Sequence, residues 1–139
     1  MSQVAPRVGI VLVSHSVRLA EGTAELAGQV SGGTVRVLTA GGTEDGELGT
    51  SAEKVARAVA GAETGAGVLV LPDLGSAVLT VRAMLEDMPG ARVVLADAPF
   101  VEGAVAATVT AAAYPGQQPA AREAAHVLGH GESVRSDPR

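Results

Sequence analysis

The sequence predicts an open α/β fold in which four parallel strands carry helices on both faces. Three observations carry this. Short aliphatic and β-branched runs recur four times along the 139 residues. Those runs alternate little between apolar and polar residues, as strands buried on both faces do. Amphipathic stretches of helical period separate them, and a strand–helix–strand repeat favours a parallel sheet with right-handed crossovers.

The strand runs are residues 8–13 (VGIVLV), 35–39 (VRVLT), 67–72 (GVLVLP) and 91–96 (ARVVLA). Of the helical stretches, 19–30 places Leu19, Thr23, Leu26, Ala27 and Val30 on one face. Residues 51–60 bring Val55, Ala56 and Val59 together, with Thr50 or Ser51 as N-cap and Glu53 in the first turn. Residues 76–88 set Val78, Val81, Ala83, Leu85 and Met88 around a broad apolar surface and stop before Pro89-Gly90. Residues 100–113 continue helically as far as Tyr114-Pro115-Gly116. Residues 1–113 are the expected domain, and 114–139 read as a short helix over 119–128 and a flexible, disordered tail over 129–139.

Composition removes whole classes of function. Without cysteine there is no disulfide framework, thiolate metal site or cysteine nucleophile. Phe100 and Tyr114 are the only aromatics, so the core is aliphatic and no stacking platform for single-stranded nucleic acid exists. A net charge of −5 and cationic residues scattered singly argue against a phosphate-backbone binder. No apolar run approaches the roughly 20 residues of a membrane helix. The N-terminus lacks the apolar stretch of a secretory signal. A soluble cytoplasmic protein is the expectation.

In open α/β sheets, ligands bind outside the carboxyl ends of the strands. Four loops fall there: Ser14-His15-Ser16, residues 39–43 with Gly41 and Gly42, residues 73–76 with Asp73, Gly75 and Ser76, and Asp97-Ala98-Pro99. All four are expected on one rim. His15 is the one histidine at a strand end just before a helix, where imidazole can serve as base, metal ligand or nucleophile. A loop histidine satisfied by Ser14 or Ser16 is the plain alternative. Metal is the weaker option, because no closely spaced His/Asp pair accompanies it. Asp73 either caps the next helix, where Ser76 is also available, or holds His15 by its other ring nitrogen. Gly41, Gly42 and Gly75 are either turn residues or a cradle whose backbone N–H groups approach an anion. There is no GxxxxGK[ST] motif and no dinucleotide fingerprint, so a nucleotide site is not supported.

Taken together, four segments resemble a known family in the same order: VLVSHSVRLAEGTAELA (11–27), AGGTEDGELGTSAEKV (40–55), DLGSAVLTVRAML (73–85) and APFVEGAVAATVTAA (98–112). The chain resembles, over roughly residues 8–113, the phosphotransfer subunits of phosphoenolpyruvate-dependent dihydroxyacetone kinases, whose IIA domain is of the mannose type. The resemblance implies a doubly wound, mainly parallel sheet with strand order 2-1-3-4. It implies that His15 is the phosphorylated histidine and Asp73 its acidic partner. Ser14, Ser16, Gly41, Gly42, Gly75 and Ser76 would form the phosphate loop and partner rim. It implies that phosphate comes from the histidine carrier HPr and passes to ADP held on the kinase's nucleotide-binding subunit. It further implies a homodimer, and no metal or nucleotide on this chain itself. The short length is expected to hold the IIA domain alone, with HPr and enzyme I as separate proteins.

Other functions compete with this one. A IIA domain of a mannose-type sugar permease would share the His15 chemistry, although the DLGSA and APFVEG segments favour the kinase branch. In a non-enzymatic flavodoxin-like or receiver-like regulator Asp73 would take the phosphate, but a receiver wants an acidic cluster for Mg²⁺ and a lysine, and the one lysine, Lys54, falls in a predicted helix. A small binding module with an inert His15 is the third.

Overall fold

The computed structural model describes residues 6–114 and 131–135. The four runs form strands β1 (Gly9–Ser14), β2 (Val37–Gly41), β3 (Val68–Pro72) and β4 (Arg92–Ala96), mutually parallel in the order 2-1-3-4. Helices α1 (Val17–Ser31), α2 (Ala52–Ala62), α3 (Gly75–Glu86) and α4 (Phe100–Ala113) alternate with them. The chain steps from β1 to β2 in one direction, then crosses to β3 and β4 in the other. Right-handed crossovers then put α1 on one face and α2 and α3 on the opposite one. The core divides accordingly. Ile10, Leu12, Leu69 and Leu71 pack with Ala27 of α1 and Ala104, Ala107 and Ala111 of α4. Val11, Val13, Val68 and Val70 pack with Val55 and Val59 of α2 and Val81, Met84 and Leu85 of α3. Alternate residues of each inner strand therefore serve the two cores, which is why the runs show no polar face.

Small residues let the layers approach closely. A Cβ on Gly9 would lie 2.1 Å from the carbonyl oxygen of Ala62 at the end of α2, so only glycine fits at that point of β1.

Two expectations are corrected. The face of α1 turned inward carries Ala20, Thr23 and Ala27, while Leu19, Leu26 and Val30 are exposed. The tail also contains a strand: β5 (Gly131–Arg135) pairs antiparallel with β4 and extends the sheet, where a flexible tail was expected. An edge strand binds through its backbone and needs no apolar signature. The expected helix over 119–128 lies outside the described residues.

Candidate functional site

β1 and β3 are neighbours, and the crossovers leaving them run in opposite directions. Their carboxyl ends therefore flank the crevice at the switch point of the sheet. His15 leaves β1 there and Asp73 leaves β3, its N–H donating to the Val13 carbonyl at 2.9 Å. The Asp73 carboxylate gathers the end of β1 around itself. Oδ2 accepts from the Ser14 hydroxyl at 2.9 Å and from the His15 N–H at 3.0 Å. Oδ1 lies 2.9 Å from His15 Nδ1. Ser14, fully buried, accepts in turn from the Ser16 N–H at 3.0 Å. Asp73 thus does not cap α3, whose N-cap Leu74 has no side-chain bond.

An ionised carboxylate only accepts, so the proton of a neutral His15 sits on Nδ1. Nε2 is left with its lone pair and stands 2.8 Å from the Ser76 hydroxyl, which donates to it. The His15 side chain is 24% exposed and that of Asp73 only 9%. Burial pushes the Asp73 carboxyl up, but the His15 N–H, the imidazole and the Ser14 hydroxyl outweigh it and hold the group below its ordinary value. The result is a ring fixed in tautomer and orientation, with one nucleophilic nitrogen facing outward.

Two loops frame it. Ser16 is the N-cap of α1, its hydroxyl accepting from the Leu19 N–H at 3.2 Å. From the other side, the Gly49 N–H donates to the His15 carbonyl at 2.9 Å. Thr50 and Thr80 share a hydroxyl–hydroxyl bond of 2.8 Å that ties this loop to α3. Lys54 reaches back from α2 to the Gly41 carbonyl at 2.8 Å.

The three rim glycines part company. Gly42, at φ +73°, donates its N–H to the Ser14 carbonyl at 3.0 Å, so that group is not free for an anion. A Cβ on Gly41 would meet Val17 Cα at 2.9 Å and the Ser16 carbonyl oxygen at 3.0 Å. Both residues serve close packing of the SHS turn. Gly75 differs: it opens α3 with open space around it, and a first-turn amide has no partner within the helix. Gly41→Ala is accordingly expected to displace the Ser16–Val17 backbone, at a cost of about 1–3 kcal/mol. A thermal melt of the variant reads the loss, and an unchanged midpoint would contradict the packing role.

Asp97 does not join this cluster. It lines a recess of about 460 Å³ with Asp73, Leu74, Val78 and Arg82. Among the described residues no three side chains gather in a way that suits a metal ion. No helix among them is long and apolar enough to cross a membrane.

Comparison with known proteins matches residues 9–115 to the mannose-type EIIA family, described as the PTS system fructose IIA component. The chain belongs to this mannose-type IIA family. A relative from Listeria innocua is 35% identical over 86% of this IIA chain and 98% of its own length. It is named the phosphoryl donor subunit DhaM of PEP-dependent dihydroxyacetone kinase 2. The phosphoryl donor subunit DhaM of Escherichia coli is 42% identical over 76% of the chain, which spans only 24% of that longer protein. A solved structure described as a protein of unknown function has a TM-score of 0.69 at 32% identity, covering 86% of this chain and 94% of its own. A sigma-54 interaction domain protein from Enterococcus faecalis has a TM-score of 0.68 at 16% identity, over 88% and 90% of the two chains, and shows the shared fold alone. The family and these relatives support a phosphotransfer role for the IIA chain in the phosphotransferase system. Sequence reasoning found both members of its His–Asp pair. It missed the clamp from Gly49 and the Thr50–Thr80 tie, whose signals were the helix-capping pair Thr50-Ser51 and the Leu48-Gly49-Thr50 stretch of the resembling segment 40–55.

Proposed function

We propose that the chain is a phosphohistidine carrier. Nε2 of His15 takes the phosphoryl group from HPr and hands it to ADP bound on the nucleotide-binding subunit of a dihydroxyacetone kinase. The observation that carries this is the Nδ1–Asp73 bond, which leaves Nε2 unprotonated and outward-facing. The Nε2 lone pair attacks phosphorus while the bond to the donor's nitrogen breaks, and that nitrogen recovers a proton from solvent. Asp73 keeps the Nδ1 proton and steadies the positive charge on the phosphorylated ring. Ser76 turns from Nε2 to a phosphoryl oxygen, and the first amides of α3, at Gly75 and Ser76, face the added negative charge. Transfer to ADP reverses the attack. Asp73 itself is a poor phosphate acceptor, because both oxygens are engaged and the side chain is buried against Ser14. The names of the relatives favour the kinase branch over a sugar permease.

Incubation with phosphoenolpyruvate, enzyme I and HPr should label the chain with acid-labile, base-stable phosphate. Phosphorus–nitrogen coupling in the NMR spectrum should place it on Nε2, and the ADP-loaded kinase subunit should discharge it. A base-labile label would mean an aspartyl phosphate and sink the reading.

A further inference from the structure

We propose that the loop joining β2 to α2, residues 42–50, is a docking arm that presents Leu48 to the phosphoryl-donor protein. The surface it recognises would be an apolar spot flanked by basic side chains. This rests on the phosphohistidine reading above and names how the partner is held.

The arm is ordered and attached to the site at both ends. Gly42 donates to Ser14, Gly49 donates to His15, and Thr50 bonds Thr80 on α3. Between these anchors the loop closes on itself, with the Thr43 N–H donating to the Glu47 carbonyl and the Glu47 N–H to the Thr43 hydroxyl. Leu48 nevertheless stands 82% exposed, one residue from the amide that grips the His15 carbonyl. Single exposed leucines are ordinary. Here Leu74, next to Asp73, is also 59% exposed, and Leu79, one turn along α3 from Ser76, is 70% exposed. Three exposed aliphatic side chains thus lie on the loop and the helix that border His15, a surface that suits a protein partner. A loop already fixed in shape binds with little further loss of conformational freedom.

Charge indicates what flanks the partner's apolar spot. Glu44 is engaged by Arg57 and Ser51. Asp45 and Glu47 are exposed and have no ion pair among the described residues. Two uncompensated carboxylates beside Leu48 call for cations opposite and favour encounter with a basic face. The exposed carboxylates beside the reactive histidine commit the proposal to a donor with a basic face. A protein that delivers a phosphoryl group to Nε2 must cover the surface immediately around His15. The unmodified ring is the state that the donor meets, whereas the acceptor meets the phosphorylated one.

The test measures label transfer from phosphorylated HPr, and in parallel from phosphoramidate, a small donor that needs no docking. For Leu48→Ser the KM for HPr should rise at least tenfold with kcat within twofold of wild type and phosphoramidate labelling unchanged. The double variant Asp45→Asn, Glu47→Gln should flatten the salt dependence of kcat/KM for HPr. An unchanged KM in the Leu48 variant, or a change of oligomeric mass in place of a change in KM, overturns the proposal. So does loss of phosphoramidate labelling in that variant, since the loop would then be shaping His15 itself. Wild-type protein labelled by phosphoramidate and not by HPr also overturns it. Wild-type protein labelled by neither removes the phosphohistidine reading underneath.

Discussion

His15→Ala is expected to take up no phosphate from HPr while keeping its fold. The imidazole belongs to neither core cluster, and its removal leaves the Asp73 carboxylate bonded to the Ser14 hydroxyl and to the backbone N–H of residue 15. Two hydrogen bonds of the ring are lost, Nδ1 to Oδ1 and the more exposed one from the Ser76 hydroxyl to Nε2, a change of about 1–3 kcal/mol. A melting curve should therefore stay cooperative with a modest shift. Labelling should fall below detection, because the Nε2 lone pair is the one nucleophile the cluster turns outward. The discriminating measurement is the chemistry of any residual label. A base-labile phosphate retained at the wild-type level would assign the reaction to Asp73. That would make the chain a receiver-like protein.

The parts of this site differ in how far they could be read beforehand, and the reasons are physical. His15 and Asp73 were legible because both follow the carboxyl ends of apolar runs, and strand order then decides whether two such residues meet. Asp97 follows the same rule, and β4 lies two strand spacings from β1, roughly 10 Å, so its loop borders a recess shared with Asp73 while His15 bonds Asp73 alone of the two. The glycines were ambiguous, because glycine answers equally to a close anion and to a close backbone. The distances from Gly41 to Val17 and Ser16 establish the close backbone. The inward face of α1 was misread because large aliphatic residues dominate a hydrophobic pattern. The helix instead rests on Ala20, Thr23 and Ala27, whose small side chains let it lie close to the sheet and to α4. β5 left no trace in a polar tail, because its place depends on pairing along the β4 backbone.

Asp73→Asn should slow phosphoryl uptake by up to about 10⁴-fold, the loss that follows when the aspartate orienting the catalytic histidine of a serine protease becomes an amide. The carboxylate offers two accepting oxygens to three donors: Nδ1–H, the His15 N–H and the Ser14 hydroxyl. An amide has one oxygen and one NH₂, and the two donors on the Oδ2 side hold the oxygen there. The NH₂ then faces Nδ1, which can meet it only as an acceptor, so the ring proton moves to Nε2 and the outward nucleophile is lost. The same substitution alters stability with a defined sign. The folded-state pKa of Asp73 lies below its unfolded value of about 3.9, so the ionised group stabilises the fold above that pH. That contribution fades as pH falls through the lower folded value. Wild type should therefore melt above Asp73→Asn at neutral pH, with the gap closing on acidification from about pH 4 downward. Nitrogen NMR should show the Nε2 proton in the variant alone. Wild-type labelling rates in Asp73→Asn would remove the orienting role, and a stability gap that widened in acid would contradict the lowered pKa. A slow variant with Nε2 still unprotonated would shift the role of Asp73 from setting the tautomer to stabilising the charge of the phosphorylated ring.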